Sequence, residues 1–152
     1  MAQVEQDLFT VCVFKDASWA ERGIAALVQQ GFAPADLSLM AKDAPDAAAL
    51  VEKTAGAAPE RIELPVVGAS VARGALVGAL QGSNGDLARA GVAAAMRRAG
   101  FQPHDGLIYE TLLGRGGVLV AVNGAPRAAD ALAVMLNHGG GNAAIGAWAG
   151  RV

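Results

Sequence analysis

Hydrophobic and polar positions divide the chain into two similar ends and a longer middle. Residues 8–14, Leu-Phe-Thr-Val-Cys-Val-Phe, form an apolar, β-branched run of strand length. Asp16 then offers an N-cap, and Ala20, Ile24, Leu27 and Val28 follow at the i, i+4, i+7, i+8 spacing of one helical face. Gly31 before Phe32 predicts a Schellman stop, and residues 37–42 a returning strand.

An ungapped shift of 108 positions lays this pattern on the far end of the chain. Ile24 falls on Leu132, Leu27 on Met135, Val28 on Leu136, and Gly31 on Gly139. Residues 118–122 then read as the strand before the second helix, 143–148 as a weaker strand after it, and Pro126 sits near the helix start, where its missing N–H costs least. Two right-handed β-α-β units share one sheet naturally as β-α-β-β-α-β with both helices on one side. The expected class is therefore α+β, ferredoxin-like, in one domain: units at 8–42 and 118–152, and a mainly helical insert at 43–117.

Within the insert, 46–54 reads as a short helix and 61–64 as an extended piece. From 66 to 82, small residues recur every fourth place at Ser70, Gly74, Gly78 and Gly82, between Val67, Val71, Leu76, Val77 and Leu80. This is a glycine-zipper pattern, in which one helix face without side chains admits a second helix closely. Its partner is expected at 86–99, completing an antiparallel helical hairpin, and a third helix starts at Pro103. A membrane span is disfavoured, because about 17 residues reach only about 25 Å against the ~30 Å hydrocarbon core, and Arg73 lies near the middle.

Composition narrows the function classes. The 152 residues are 53% hydrophobic but only 5% aromatic, with a net charge of −2, so nothing favours nucleic acid or an anionic membrane surface as partner. The single cysteine, Cys12, lies in an apolar run and supports neither a disulfide framework nor a cysteine metal site. The polar, acidic opening residues lack the pattern of a signal peptide, which predicts a cytoplasmic location.

Several stretches resemble the bacterial general stress protein 17M-like family. They are Val11-Cys12-Val13-Phe14 with the helix from Trp19 to Leu27, then Gly31-Phe32 and a strand, the central glycine zipper, and Gly100-Phe101 followed by Ile108-Tyr109-Glu110 and Arg115-Gly116-Gly117-Val118-Leu119-Val120-Ala121-Val122. The resemblance covers nearly the whole chain through structural motifs. It implies a small stress-associated protein and carries no catalytic signature.

Chemistry-bearing residues are sparse. The two histidines, His104 and His138, form no i, i+4 metal pair, and the glycine runs at 114–117 and 139–141 lack the strand-before, helix-after context of a phosphate loop. His138, in the last turn of a helix, reads as a capping cation. The one polar cluster of mixed chemistry is His104, Tyr109, Glu110 and Arg115, the candidate ligand-binding residues. No catalytic residue, metal site or cofactor is assigned. The expected function is a non-enzymatic structural or interaction protein that forms homo-oligomers through the small-residue hairpin or the sheet face. The alternative is a small-ligand module with its pocket between insert and sheet.

Overall fold

A computed structural model describes residues 7–124 and 127–148. Residues 1–6 and Pro126 lie outside them. In chain order the elements are β1 (Asp7–Phe14), α1 (Ala17–Gln29), β2 (Leu37–Lys42), α2 (Pro45–Ala55), β3 (Glu60–Leu64) and β4 (Gly68–Arg73). Then come α3 (Ala75–Gln81), α4 (Asp86–Ala90), α5 (Val92–Arg98), α6 (Pro103–Gly114), β5 (Val118–Asn123), α7 (Ala128–Asn137) and β6 (Gly141–Trp148).

The two ends repeat down to their hydrogen bonds. Asp16 caps α1 by accepting the Trp19 N–H at 3.0 Å. At the other end of α1, the Phe32 N–H bonds the Leu27 carbonyl at 3.1 Å and the Gly31 N–H bonds Val28 at 3.0 Å. The same Schellman pair closes α7, where Gly140 bonds Met135 at 2.8 Å and Gly139 bonds Leu136 at 3.4 Å. Ala20, Ile24 and Leu27 face inward, as do Ala128, Ala131 and Met135. Val28 and Leu136, expected inside, are instead 43% and 48% exposed. Each lies about 80° around the helix from the first core position of its stripe, at the stripe's edge.

One six-stranded sheet, in the order β3-β4-β2-β5-β1-β6, holds both ends and part of the insert. Every neighbouring pair is antiparallel. The fold is thus α+β, and the two strands of each β-α-β unit are separated by a strand of the other. Strand alternation sends Cys12, Phe14, Leu39, Val71 and Val120 to one face, where α1, α2 and α7 pack. It sends Phe9, Val11, Met40, Ala72 and Leu119 to the other, covered by α3, α4, α5 and α6. Along β1, β2, β4 and β5 both faces are therefore buried, so these strands leave no free sheet face for contact between copies.

The insert departs most from expectation. Its first helix and extended piece are present as α2 and β3, but residues 66–82 are not one helix. They turn at Val66 and Gly68, both at positive φ (71° and 95°), and run back as β4 beside β3 and β2. β-Branched Val71 favours the extended form, and a third positive φ at Gly74 (124°) separates the strand from α3.

The zipper positions consequently do four unrelated things. Ser70 is buried in β4 with its hydroxyl donating to the Gly68 carbonyl at 2.9 Å. At Gly74 a Cβ would lie 2.5 Å from the Ser38 Cα, Gly78 has open space around it, and Gly82 lies against the Arg98 guanidinium. The partner helix is also broken, at Gly91 with φ 97°, into α4 and α5. Close helix-to-helix approach occurs elsewhere, at Gly106 of α6, where a Cβ would stand 3.0 Å from the Ala93 carbonyl oxygen of α5.

Candidate functional site

The four residues singled out by their chemistry all belong to α6 or its end, yet they do not converge. Tyr109 is fully buried toward the sheet, in the cluster with Leu113, Met40 and Leu119. Burial, with smaller contributions from Asp105 and Cys12, pushes its phenol well above the usual range, so it stays protonated. Glu110 turns to α5: its carboxylate accepts the Ala93 N–H at 3.2 Å. Gly91, the residue at the N-cap of α5, has no side chain to do this, and Glu110 fills that role.

His104 has a side chain 69% exposed and stands 3.3 Å from the Asp105 carboxylate at the start of α6. Arg115 lies past the opposite end, about 16 Å away along the axis. His138 closes α7, its Nδ1 donating to the Val134 carbonyl at 2.8 Å, in keeping with the capping role. Among the described residues no group of three His, Cys, Asp or Glu side chains could hold a metal ion.

Arg115 alone borders a hollow between insert and sheet. It has a volume of about 360 Å³, with Val13, Phe14 and Leu112 as apolar wall. Gly117, Gly139 and Gly141 leave bare backbone along it, and Lys15 stands with Arg115 as its second cation. No carboxylate lines it. Among the described residues neither cation is held in an ion pair, whereas Lys53, Arg61, Arg73, Arg89, Arg98 and Arg127 all are.

Packing requires two of these glycines. A Cβ at Gly117 would stand 2.9 Å from the Leu112 carbonyl oxygen, and one at Gly139 would stand 2.8 Å from the Trp19 ring. Lys15 was missed in the sequence because its place depends on a long-range register. Phe14 pairs with Val118 in antiparallel β1 and β5, which brings Lys15 opposite Gly117 at the end of α6.

A larger hollow, about 380 Å³, runs between α1 and α2 along Ile24, Val28 and Leu50. Lys53 and Glu21 close it with an exposed 2.6 Å ion pair, and hydrogen bonding to Lys53 holds the Glu21 carboxyl below its ordinary range. That pair leaves no free charge there, so the smaller hollow has more to offer a ligand.

Comparison with protein-family models, curated proteins and solved structures finds no match to this chain. The hollow beside Arg115 offers positive charge, bare backbone and apolar wall. Cys12 does not line it, and burial pushes that thiol up to about 12, which keeps it an inert packing group. This arrangement can hold an anion.

Proposed function

We propose that the chain is a non-enzymatic structural protein that self-associates through β6, extending its sheet into a second copy. The observation that carries the reading is the difference between the two sheet edges. β3, at one end, is five residues long with Glu60, Arg61 and Glu63 among them, and it is covered by charge in the way that blunts edges. β6, at the other end, is Gly-Asn-Ala-Ala-Ile-Gly-Ala-Trp, without a charge or a proline, and among the described residues it pairs only with β1. Such an edge is a template for another strand, and two-fold antiparallel pairing with itself brings no like charges together.

The finer reading of the fold is ferredoxin-like. The strand order β2-β5-β1-β6 within the larger sheet, with α1 and α7 on one face, supports it. A stress-associated role rests on the resemblance of the two end units and of the segment from Gly100 to Val122 to the general stress protein 17M-like family. The zipper no longer contributes to that resemblance, since 66–82 folds as strand and helix. No helix among the described residues is long and apolar enough to cross a membrane.

Sedimentation equilibrium tests the assembly. A dimer at micromolar concentration is expected, with Ala144→Lys and Ala147→Lys each giving a monomer of unchanged circular dichroism. A wild-type monomer at high micromolar concentration would remove the reading. A dimer surviving both substitutions would place the contact away from β6.

A further inference from the structure

Beyond self-association, we propose that the hollow at Lys15 and Arg115, together with the outer face of α6, binds a single-chain anionic amphiphile of the medium-chain carboxylate type. The head would sit between the two cations, and the tail would lie along Leu112, Ile108 and Leu107.

Cations beside a helix C-terminus ordinarily answer its dipole and exposed carbonyls. Here those carbonyls are already satisfied. The Arg115 N–H bonds Thr111 at 3.2 Å, the Gly117 N–H bonds Leu112 at 2.9 Å, and the Gly116 N–H bonds Leu113 at 3.1 Å. Lys42 donates its ammonium to the remaining carbonyl, Gly114, at 3.1 Å. The side chains of Lys15 and Arg115 are thus surplus to the helix end, and both turn up on the rim of a hollow that contains no carboxylate.

The apolar half of the site follows from α6 itself. Tyr109 and Leu113 already supply its buried face, so Leu107, 58% exposed, and Ile108, 36% exposed, are apolar residues on the side away from the sheet. A helix apolar on both sides ordinarily has cover on both. A shallow hollow of about 310 Å³ runs along Leu107, Ile108 and Thr111, and shares Leu112 and Arg115 with the cationic hollow. Charge and grease are therefore continuous. The distance from Arg115 back to Ile108 is about 11 Å along the helix, the reach of an alkyl chain of roughly nine carbons.

Titration calorimetry with decanoate below its micelle concentration tests the site, with acetate carrying the head alone and decanol the tail alone. Saturable one-to-one binding of decanoate is expected, at least about tenfold tighter than either control, since a charged hydrogen bond and a buried tail each contribute more than a factor of ten. Lys15→Gln with Arg115→Gln, and separately Leu107→Ser with Ile108→Ser, should each weaken it at least about tenfold while circular dichroism stays unchanged. The proposal is overturned by decanol binding as tightly as decanoate or by either double variant titrating like the wild type. Absence of decanoate binding overturns it too, as does binding confined to phosphatidylglycerol vesicles, which would point to a membrane surface instead.

Discussion

The layer of α1, α2 and α7 meets the sheet through regular helical stripes, whereas three of the four helices in the opposite layer, α3, α4 and α5, are only five to seven residues long and are tied by polar bonds. On the first face the cross-element polar contacts are peripheral: Lys53 and Glu21, 71% and 52% exposed, join α2 to α1 at the surface. On the second they sit at the junctions. The Ser38 hydroxyl accepts the Leu76 N–H at 2.9 Å, and Arg98 bonds the Ala79 and Leu80 carbonyls and pairs with Asp86. Helices of five to seven residues cannot define their own orientation by a stripe of apolar side chains, so single bonds do it. The first face should tolerate polar substitution, and the second should not.

The hardest break is Gly74→Ala. The backbone there needs φ 124°, and the new methyl would meet the Ser38 Cα at 2.5 Å, a backbone atom that a side-chain rotation cannot move aside. It would also push away the hydroxyl that caps α3. A loss of about 4 kcal/mol in urea unfolding is expected. A loss below about 1 kcal/mol would mean that the junction between β4 and α3 is not close-packed.

Asp86→Ala comes next. Asp86 is 7% exposed and pairs with Arg98, so its removal leaves a partly buried guanidinium without its carboxylate, held only by neutral carbonyls. About 3 kcal/mol should be lost. The matched change on the other face, Glu21→Ala, removes an exposed pair and should leave the melting temperature unmoved. Equal effects from the two substitutions would erase the distinction between the layers.

These two positions also mark where the sequence was legible. The end units were readable because their information is periodic and local: apolar spacing, Asp16 as cap, and a glycine stop that recurs at Gly139. The fold class followed from them. The insert was not readable by the same signal. Ser70, Gly74, Gly78 and Gly82 have helical spacing, but that spacing is also compatible with a strand and a helix joined at a glycine. What decides between them is the β2 edge that β4 joins, which lies some thirty residues earlier in the chain. The site divided likewise. Arg115 was found because it stands out locally, while Lys15 reaches it only through the pairing of β1 with β5. Glu110 and Tyr109 looked like chemistry and proved to be a surrogate cap and a core residue.

Among the described residues each face of the sheet has one buried weak acid whose proton burial retains, and alkaline pH compares them. Cys12 faces the α1 side and Tyr109 the α6 side, and burial raises both above their unfolded values. A raised folded pKa means that the folded state keeps its proton longer. The stability this brings is complete below the unfolded pKa and is lost as pH climbs toward the folded one. For Cys12 the window is 9.0 to about 12. About 2 kcal/mol should disappear by about pH 10.5 through this thiol, and Cys12→Ala should flatten that part of the curve. Native protein should accordingly resist thiol reagents that modify the unfolded chain at once. Rapid modification of the folded protein would show that the first layer opens over β1.

The smallest expected effect is the sharpest against the zipper. Gly78 is a helix-interior glycine in α3 without a positive φ, and nothing lies within 4 Å of where its Cβ would be. Were it the floor of a helix–helix groove, a methyl there would separate the helices and destabilise the fold, as at Gly74. In the observed arrangement the methyl meets only solvent and restricts the unfolded chain. Gly78→Ala should therefore raise stability by about 0.5–1 kcal/mol. Paired with Gly74→Ala, it makes two neighbouring glycines of one sequence motif move stability in opposite directions. A loss at Gly78 would restore a close helical partner on that side of α3.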